Sequence, residues 1–91
     1  MPAAFRDNAA ESRFELTENG HLAFADYRRQ DGLLVIDHVE AAMPLRGTGA
    51  AGRLMEEVVR LARAENRRIV PRCGYAAGWL RRHSEHAGLV A

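Results

Sequence analysis

Arg46-Gly47-Thr48-Gly49-Ala50-Ala51-Gly52 separates an apolar run, Leu33 to Val39, from a long segment with helical spacing. A glycine-rich turn at such a junction lets successive backbone N–H groups point into one concavity. The helix that follows adds the partial positive charge of its N-terminus, and Arg46 adds a full one. The stretch therefore reads as a phosphate cradle between a strand and a helix.

Working outward, the N-terminal side reads as a β-meander. Arg13-Phe14-Glu15-Leu16-Thr17 alternates polar and apolar residues, as a half-buried strand does. Glu18-Asn19-Gly20 carries the Asn-Gly signal of a tight hairpin. His21 to Arg28 alternates again, with Leu22, Phe24 and Asp26 on one face and Ala23, Ala25 and Tyr27 on the other. Gln30-Asp31-Gly32 is a second turn. Leu33 to Val39 is apolar enough for a central strand covered on both faces. Residues 1–11 show no period and read as a flexible lead-in, so the domain is expected over 12–91.

On the C-terminal side, Ala51, Leu54, Met55, Val58 and Ala62 form an apolar stripe, predicting a helix from about Thr48 to Glu65. Arg53–Glu57 and Glu56–Arg60 are spaced as i,i+4 pairs on its outer face. Asn66 suits a left-handed stop. Arg68 to Cys73 is a short strand interrupted by Pro71. Ala76 to about His83 is a final helix. The order β-β-β-α-β-α is an α+β arrangement. Its right-handed crossover sets the last strand parallel to 33–39 and the glycine run at the mouth of that pair.

Composition bounds the function. Ninety-one residues with a formal charge of +1 make one domain without the overall field of a nucleic-acid or membrane binder. All thirteen basic residues are arginine, so no lysine side chain can be acylated. No run approaches the ~20 apolar residues of a membrane span, and the first residues carry no leader pattern. The one cysteine, Cys73, fits a reducing compartment. The expected location is the cytoplasm. His83 and His86 have a weak metal spacing with no third ligand, so no metal is expected.

Three known loop types compete for the glycine run. A nucleotide-triphosphate loop needs Gly-Lys-Ser/Thr, and there is no lysine. Gly47-x-Gly49-x-x-Gly52 has dinucleotide spacing, but antiparallel strands precede it and no ribose-binding acid follows at the right distance. Arg46-x-x-Gly49-x-Ala51 resembles the acyl-CoA pyrophosphate motif of the GCN5-related N-acetyltransferases. The resemblance extends through His38, Val39-Glu40, Pro71-x-Cys73-x-Tyr75 and Arg82-His83-x-Glu85 to a small single-domain subfamily with chains of about this length. Val39 and Ala41 stand where that subfamily has Thr and Val, and Ser84 and His86 where it has Pro and Tyr.

The resemblance implies a minimal acetyltransferase fold: an antiparallel meander, a β-α-β unit and a C-terminal helix. It implies acetyl-CoA or CoA as ligand, with Arg46, Gly47, Thr48, Gly49, Ala50 and Ala51 holding the pyrophosphate. The backbone of Val39, Glu40 and Ala41 would pair with the pantetheine arm. It also implies transfer of the acetyl group to an unidentified amine, a small molecule or a protein. Cys73, His38 and Tyr75 are the catalytic candidates. Cys73 fits a leaving-group acid, an acetyl acceptor or a buried hydrophobe. His38 fits a base or a packing residue, and Tyr75 an acid or a packed ring. Larger relatives wall the acceptor site with helices and strands missing here. That leaves two further expectations: a homodimer that completes the site, or a CoA-binding sensor or adaptor without catalysis.

Overall fold

The chain is described by a computed structural model over residues 4–91. Four strands come first: β1 (Ala4–Asn8), β2 (Arg13–Glu18), β3 (His21–Gln30) and β4 (Leu33–Ala41). Helix α1 (Ala50–Ala64), strand β5 (Arg68–Pro71) and helix α2 (Gly74–Arg82) follow. The sheet runs β1-β2-β3-β4-β5, antiparallel except for the parallel β4–β5 pair. Short 3₁₀ turns cover Ala9–Glu11, Met43–Leu45 and Ser84–Leu89.

The β2–β3 hairpin closes on Asn19 (φ 50°) and Gly20 (φ 76°), so both central residues are left-handed, as the right-handed twist of the strands requires. That turn fixes the register, and the register fixes the faces. Phe14 and Leu16 of β2, Ala23, Ala25 and Tyr27 of β3, and Leu34 and Ile36 of β4 are buried together beneath Leu54, Met55, Val58 and Ala62 of α1. The opposite face carries Arg13, Phe24, Asp26, His38 and Glu40, of which His38 and Glu40 are exposed.

A β-bulge resets β4 near its end. Asp26 pairs with His38 and Tyr27 with Ile36, so Asp37 is the extra residue. Without it, alternation from Leu34 and Ile36 would put His38 on the core face. With it, Val39 and Ala41 pack toward the core and His38 and Glu40 face outward. Two guanidinium bonds from Arg28, at 2.7 and 2.9 Å, hold Asp37 in place.

Two expectations are corrected. The lead-in of 1–11 contains a strand: Ala4–Asn8 pairs along β2, making the order β-β-β-β-α-β-α, while residues 1–3 lie outside the described part. Only Phe5 of that strand packs against the core, which is why no apolar period marks it. Polar contacts fasten it instead: Arg6 and Asn8 to Glu15, and Asp7 to Tyr27 and Arg29. The second correction concerns α1. Arg53 donates to Glu18 of β2 rather than Glu57, and Arg60 meets Glu57 rather than Glu56. A bidentate carboxylate from a strand end outcompetes a flexible exposed partner one turn away. The stripe holds at Leu54, Met55, Val58 and Ala62, but in its first turn Ala50 is buried and Ala51 only half-buried. Asn66 does take the left-handed conformation, with φ 56°.

Candidate active site

The loop between β4 and α1 is built from two left-handed glycines, Gly47 (φ 78°) and Gly49 (φ 89°), the second preceding the first helical residue. Thr48 folds inward: its hydroxyl donates to the Leu45 carbonyl and accepts from the Ala50 N–H. The Thr48 N–H is likewise used by Leu45. Among the described residues, the N–H groups of Gly47, Gly49, Ala51 and Gly52 have no acceptor, as expected where a helix begins without a side-chain cap. All four residues line one cleft of about 250 Å³, together with Ala41, Leu45, Arg46, Ala50 and Tyr75. Unused donors, the helix dipole and Arg46 therefore converge on one hollow.

Arg46 is exposed and latches the loop to β4, its Nε donating to the Ala41 carbonyl at 3.2 Å. Arg53 stands beside Gly49. A Cβ placed on Gly49 would lie 3.0 Å from its Nη1, and Glu18 holds that guanidinium with two bonds of 2.7 Å. A hollow of about 320 Å³ on the other side of Arg53 is larger, but its charged walls are mostly paired side chains, Arg53–Glu18 and Arg60–Glu57. The smaller cleft holds the unused donors and is the candidate site.

Strand β4 borders the cleft along an edge that β5 leaves free. Parallel pairing ends at Ile36 with Pro71, after one more bond from the Arg72 N–H to the Ile36 carbonyl at 3.0 Å. Pro71 and the start of α2 turn the chain away, so β4 and β5 splay. The Ala42 N–H bonds to Leu22 of β3, and alternation then turns the backbone groups of Val39 and Ala41 to the free edge. Glu40 lies between them, opposite Phe24, and its backbone faces β3. Of the three residues expected to pair with an extended ligand, two present their backbone outward.

The catalytic candidates lie around this splay without forming one cluster. Tyr75 lines the cleft, with its hydroxyl 3.8 Å from where a Gly52 Cβ would stand. Burial raises its pKa above the ordinary phenol value, so it is a proton donor at neutral pH. Cys73 is half-buried against the core at the N-cap of α2, its carbonyl accepting from the Ala77 N–H. His38 faces the opposite side of the sheet, its Nε2 3.0 Å from Glu40 Oε1. No hydrogen bond joins His38 to Cys73 among the described residues. The imidazole therefore does not activate the thiol here.

The C-terminal histidines are occupied by packing. His83 donates from Nδ1 to the Trp79 carbonyl, and its ring stacks on Trp79 at 3.9 Å. His86 stacks on the same indole at 5.8 Å and reaches Arg63 at 3.1 Å. No group of three metal-ligating side chains occurs among the described residues. No helix there is long and apolar enough to cross a membrane. Glu18 is the contributor sequence reasoning missed: nothing in its local pattern links it to a loop thirty residues on. Arg53 had been placed on the helix's outer face.

A family model for GCN5-related N-acetyl-transferases matches residues 13–89. Among solved structures, an NMR solution structure of a GCN5-like candidate N-acetyltransferase from Staphylococcus aureus superposes with a TM-score of 0.70. It shares 26% identity, over 97% of this chain and 87% of that one. No curated protein matches the sequence. With the match spanning β2 to β5, the glycine loop and both helices, the chain belongs to the GCN5-related N-acetyltransferase family.

Proposed function

We propose that this protein binds acetyl-CoA, with the pyrophosphate on the loop from Arg46 to Ala51, and transfers the acetyl group to an amine. What supports the reading most is the set of unpartnered N–H groups of Gly47, Gly49, Ala51 and Gly52 around one hollow at the N-terminus of α1. The adjoining free edge of β4 fits an amide-bearing arm by strand-like pairing.

Acetyl-CoA supplies the acetyl group on a thiolate leaving group. The chain's residues then position and move protons. The backbone N–H of Val39 or Ala41, on the free edge, donates to the carbonyl oxygen as charge develops there. His38 accepts the amine proton at Nδ1, since Nε2 is engaged by Glu40. The Tyr75 hydroxyl, protonated at neutral pH, supplies a proton to the departing sulfur. Cys73 stands at the end of β5 as an alternative acceptor. Titration calorimetry with CoA and acetyl-CoA tests the reading. Binding at micromolar to sub-millimolar concentration is expected, and Gly49→Glu abolishes it. Absence of binding at millimolar ligand removes the proposal.

A second reading is a CoA-binding module without turnover. The placement of His38 and Cys73 on opposite sides of the sheet favours it. Tight CoA binding with no thiol release across an amine panel would select it.

A further inference from the structure

Resting on the acetyl-transfer reading, we propose that the exposed patch beside His38 is a cation site, and that the acceptor is a small aliphatic diamine or polyamine. Cross-strand register assembles the site. Arg13, Asp26 and His38 form one row across β2, β3 and β4, and Phe24 lies opposite Glu40 in the next. Phe24 thus stands between Glu15 of β2 and Glu40 of β4, with Asp26 two residues along its own strand and the His38 ring centroid 6.2 Å from its ring. An aromatic face flanked by carboxylates selects a cation.

The chain already places a cation there. The Arg13 guanidinium carbon lies 4.0 Å over the Phe24 ring. Its hold is poor. Arg13 Nε is buried without a hydrogen-bond partner, with Asp26 at 3.6 Å, and Nη1 is 3.9 Å from Glu15. Those separations are ion pairs without hydrogen bonds. The other charges on this face are committed: Glu15 to Arg6 and Asn8, and Asp37 to Arg28. Arg13 is therefore a displaceable occupant. A ligand ammonium on Phe24 between Asp26 and Glu40 would free its buried Nε to reach water.

The chemistry then sets the substrate class. The nitrogen that attacks the thioester must be neutral, whereas the nitrogen held on Phe24 must be charged. One molecule needs both. The reacting amine forms the C–N bond as the C–S bond breaks. Its proton passes to His38, and the sulfur leaves as thiolate and is protonated by Tyr75. The second nitrogen keeps its charge throughout, at a spacing comparable to the 6.2 Å between the two rings.

The test compares 1,4-diaminobutane with n-butylamine, which differ only in the second nitrogen. In wild-type protein, acetyl transfer read by thiol release should favour the diamine in kcat/KM by about threefold to thirtyfold. Phe24→Leu should bring that ratio toward one, and Arg13→Ala should raise it. CoA affinity and thermal melting check that both variants fold. Amide NMR shifts on adding the diamine without acetyl-CoA should centre on Arg13, Phe24 and Asp26. A wild-type ratio near one, a ratio insensitive to both variants, or shifts absent at millimolar diamine overturns the proposal. If CoA fails to bind while the diamine shifts appear, the acetyl-transfer reading falls and the cation site stands.

Discussion

Gly52 of α1 faces Trp79 of α2 so closely that a Cβ on Gly52 would lie 3.3 Å from the indole Nε1. The indole cannot yield freely: it is 3% exposed and carries stacked rings from His83 and His86. This contact also brings Tyr75 into the wall of the loop cleft. Gly52→Val therefore overpacks the α1–α2 contact and should destabilise the fold by about 1–3 kcal/mol, read from the midpoint of urea unfolding. An unchanged midpoint would mean α2 shifts without penalty.

Gly47 and Gly49 separate backbone strain from occupied space. Both have positive φ, so an alanine at either is strained by about 1–2 kcal/mol. Around Gly47 a Cβ meets nothing within 4 Å, whereas at Gly49 it meets Nη1 of Arg53, whose Nε and Nη2 are held by Glu18. Gly49→Ala should be the more destabilising of the two in thermal melts. Glu18→Gln, which loosens Arg53, should narrow the difference.

Those two glycines also show what a sequence can carry. The Asn19-Gly20 turn, the dense run of β4 and the stripe on α1 each follow from local chemistry, so the meander and the crossover were readable. The glycine loop was readable for the same reason: φ above zero and missing side chains are written in the residue type. Strand β1 was not, because Arg6, Asp7 and Asn8 earn their place through Glu15, Tyr27 and Arg29, partners known only once β2 and β3 are placed. The bulge at Asp37 was hidden too. It decides that His38 faces away from the helices, and a single extra residue leaves no mark in an apolar run.

A carboxylate network should make stability fall in acid. Arg29 donates to both oxygens of Glu65, at 2.8 and 2.7 Å, and also reaches Asp7 and Tyr27, tying the end of α1 to β3 and β1. The Arg29 bonds hold the Glu65 carboxyl below its ordinary 4.5. A depressed pKa contributes stability that is present above about pH 4.5 and lost as pH falls through the lower folded value. Melting temperature should therefore drop on acidification below that point. Glu65→Gln should destabilise the protein by about 1 kcal/mol at neutral pH and flatten part of the acid limb. An unaltered acid limb in Glu65→Gln would assign it to other carboxylates.

Tyr75 can be tested by removing one oxygen. As the leaving-group acid, its loss in Tyr75→Phe should lower kcat about a hundredfold, with little change in the KM for acetyl-CoA. Burial raises the Tyr75 pKa above 10.0, so wild-type activity should not show an acid-group limb until pH exceeds that value. An unchanged kcat in Tyr75→Phe would leave the ring as cleft wall only.

Cys73 offers a substitution whose structural and chemical effects run in opposite directions. Its backbone already takes the extended N-cap conformation of α2, with φ −86° and ψ 137°, but its side chain makes no capping bond. Serine is a preferred N-cap and has nearly the same shape, so Cys73→Ser should stabilise the protein by about 0.5–1 kcal/mol. If the thiol accepts the acetyl group, the same variant should lose the covalent mass increment that intact-protein mass spectrometry detects after mixing wild type with acetyl-CoA. Its amine-dependent thiol release should fall in parallel. A variant that is more stable and equally active would show that Cys73 only fills space at the end of β5, and that acetyl transfer to the amine is direct.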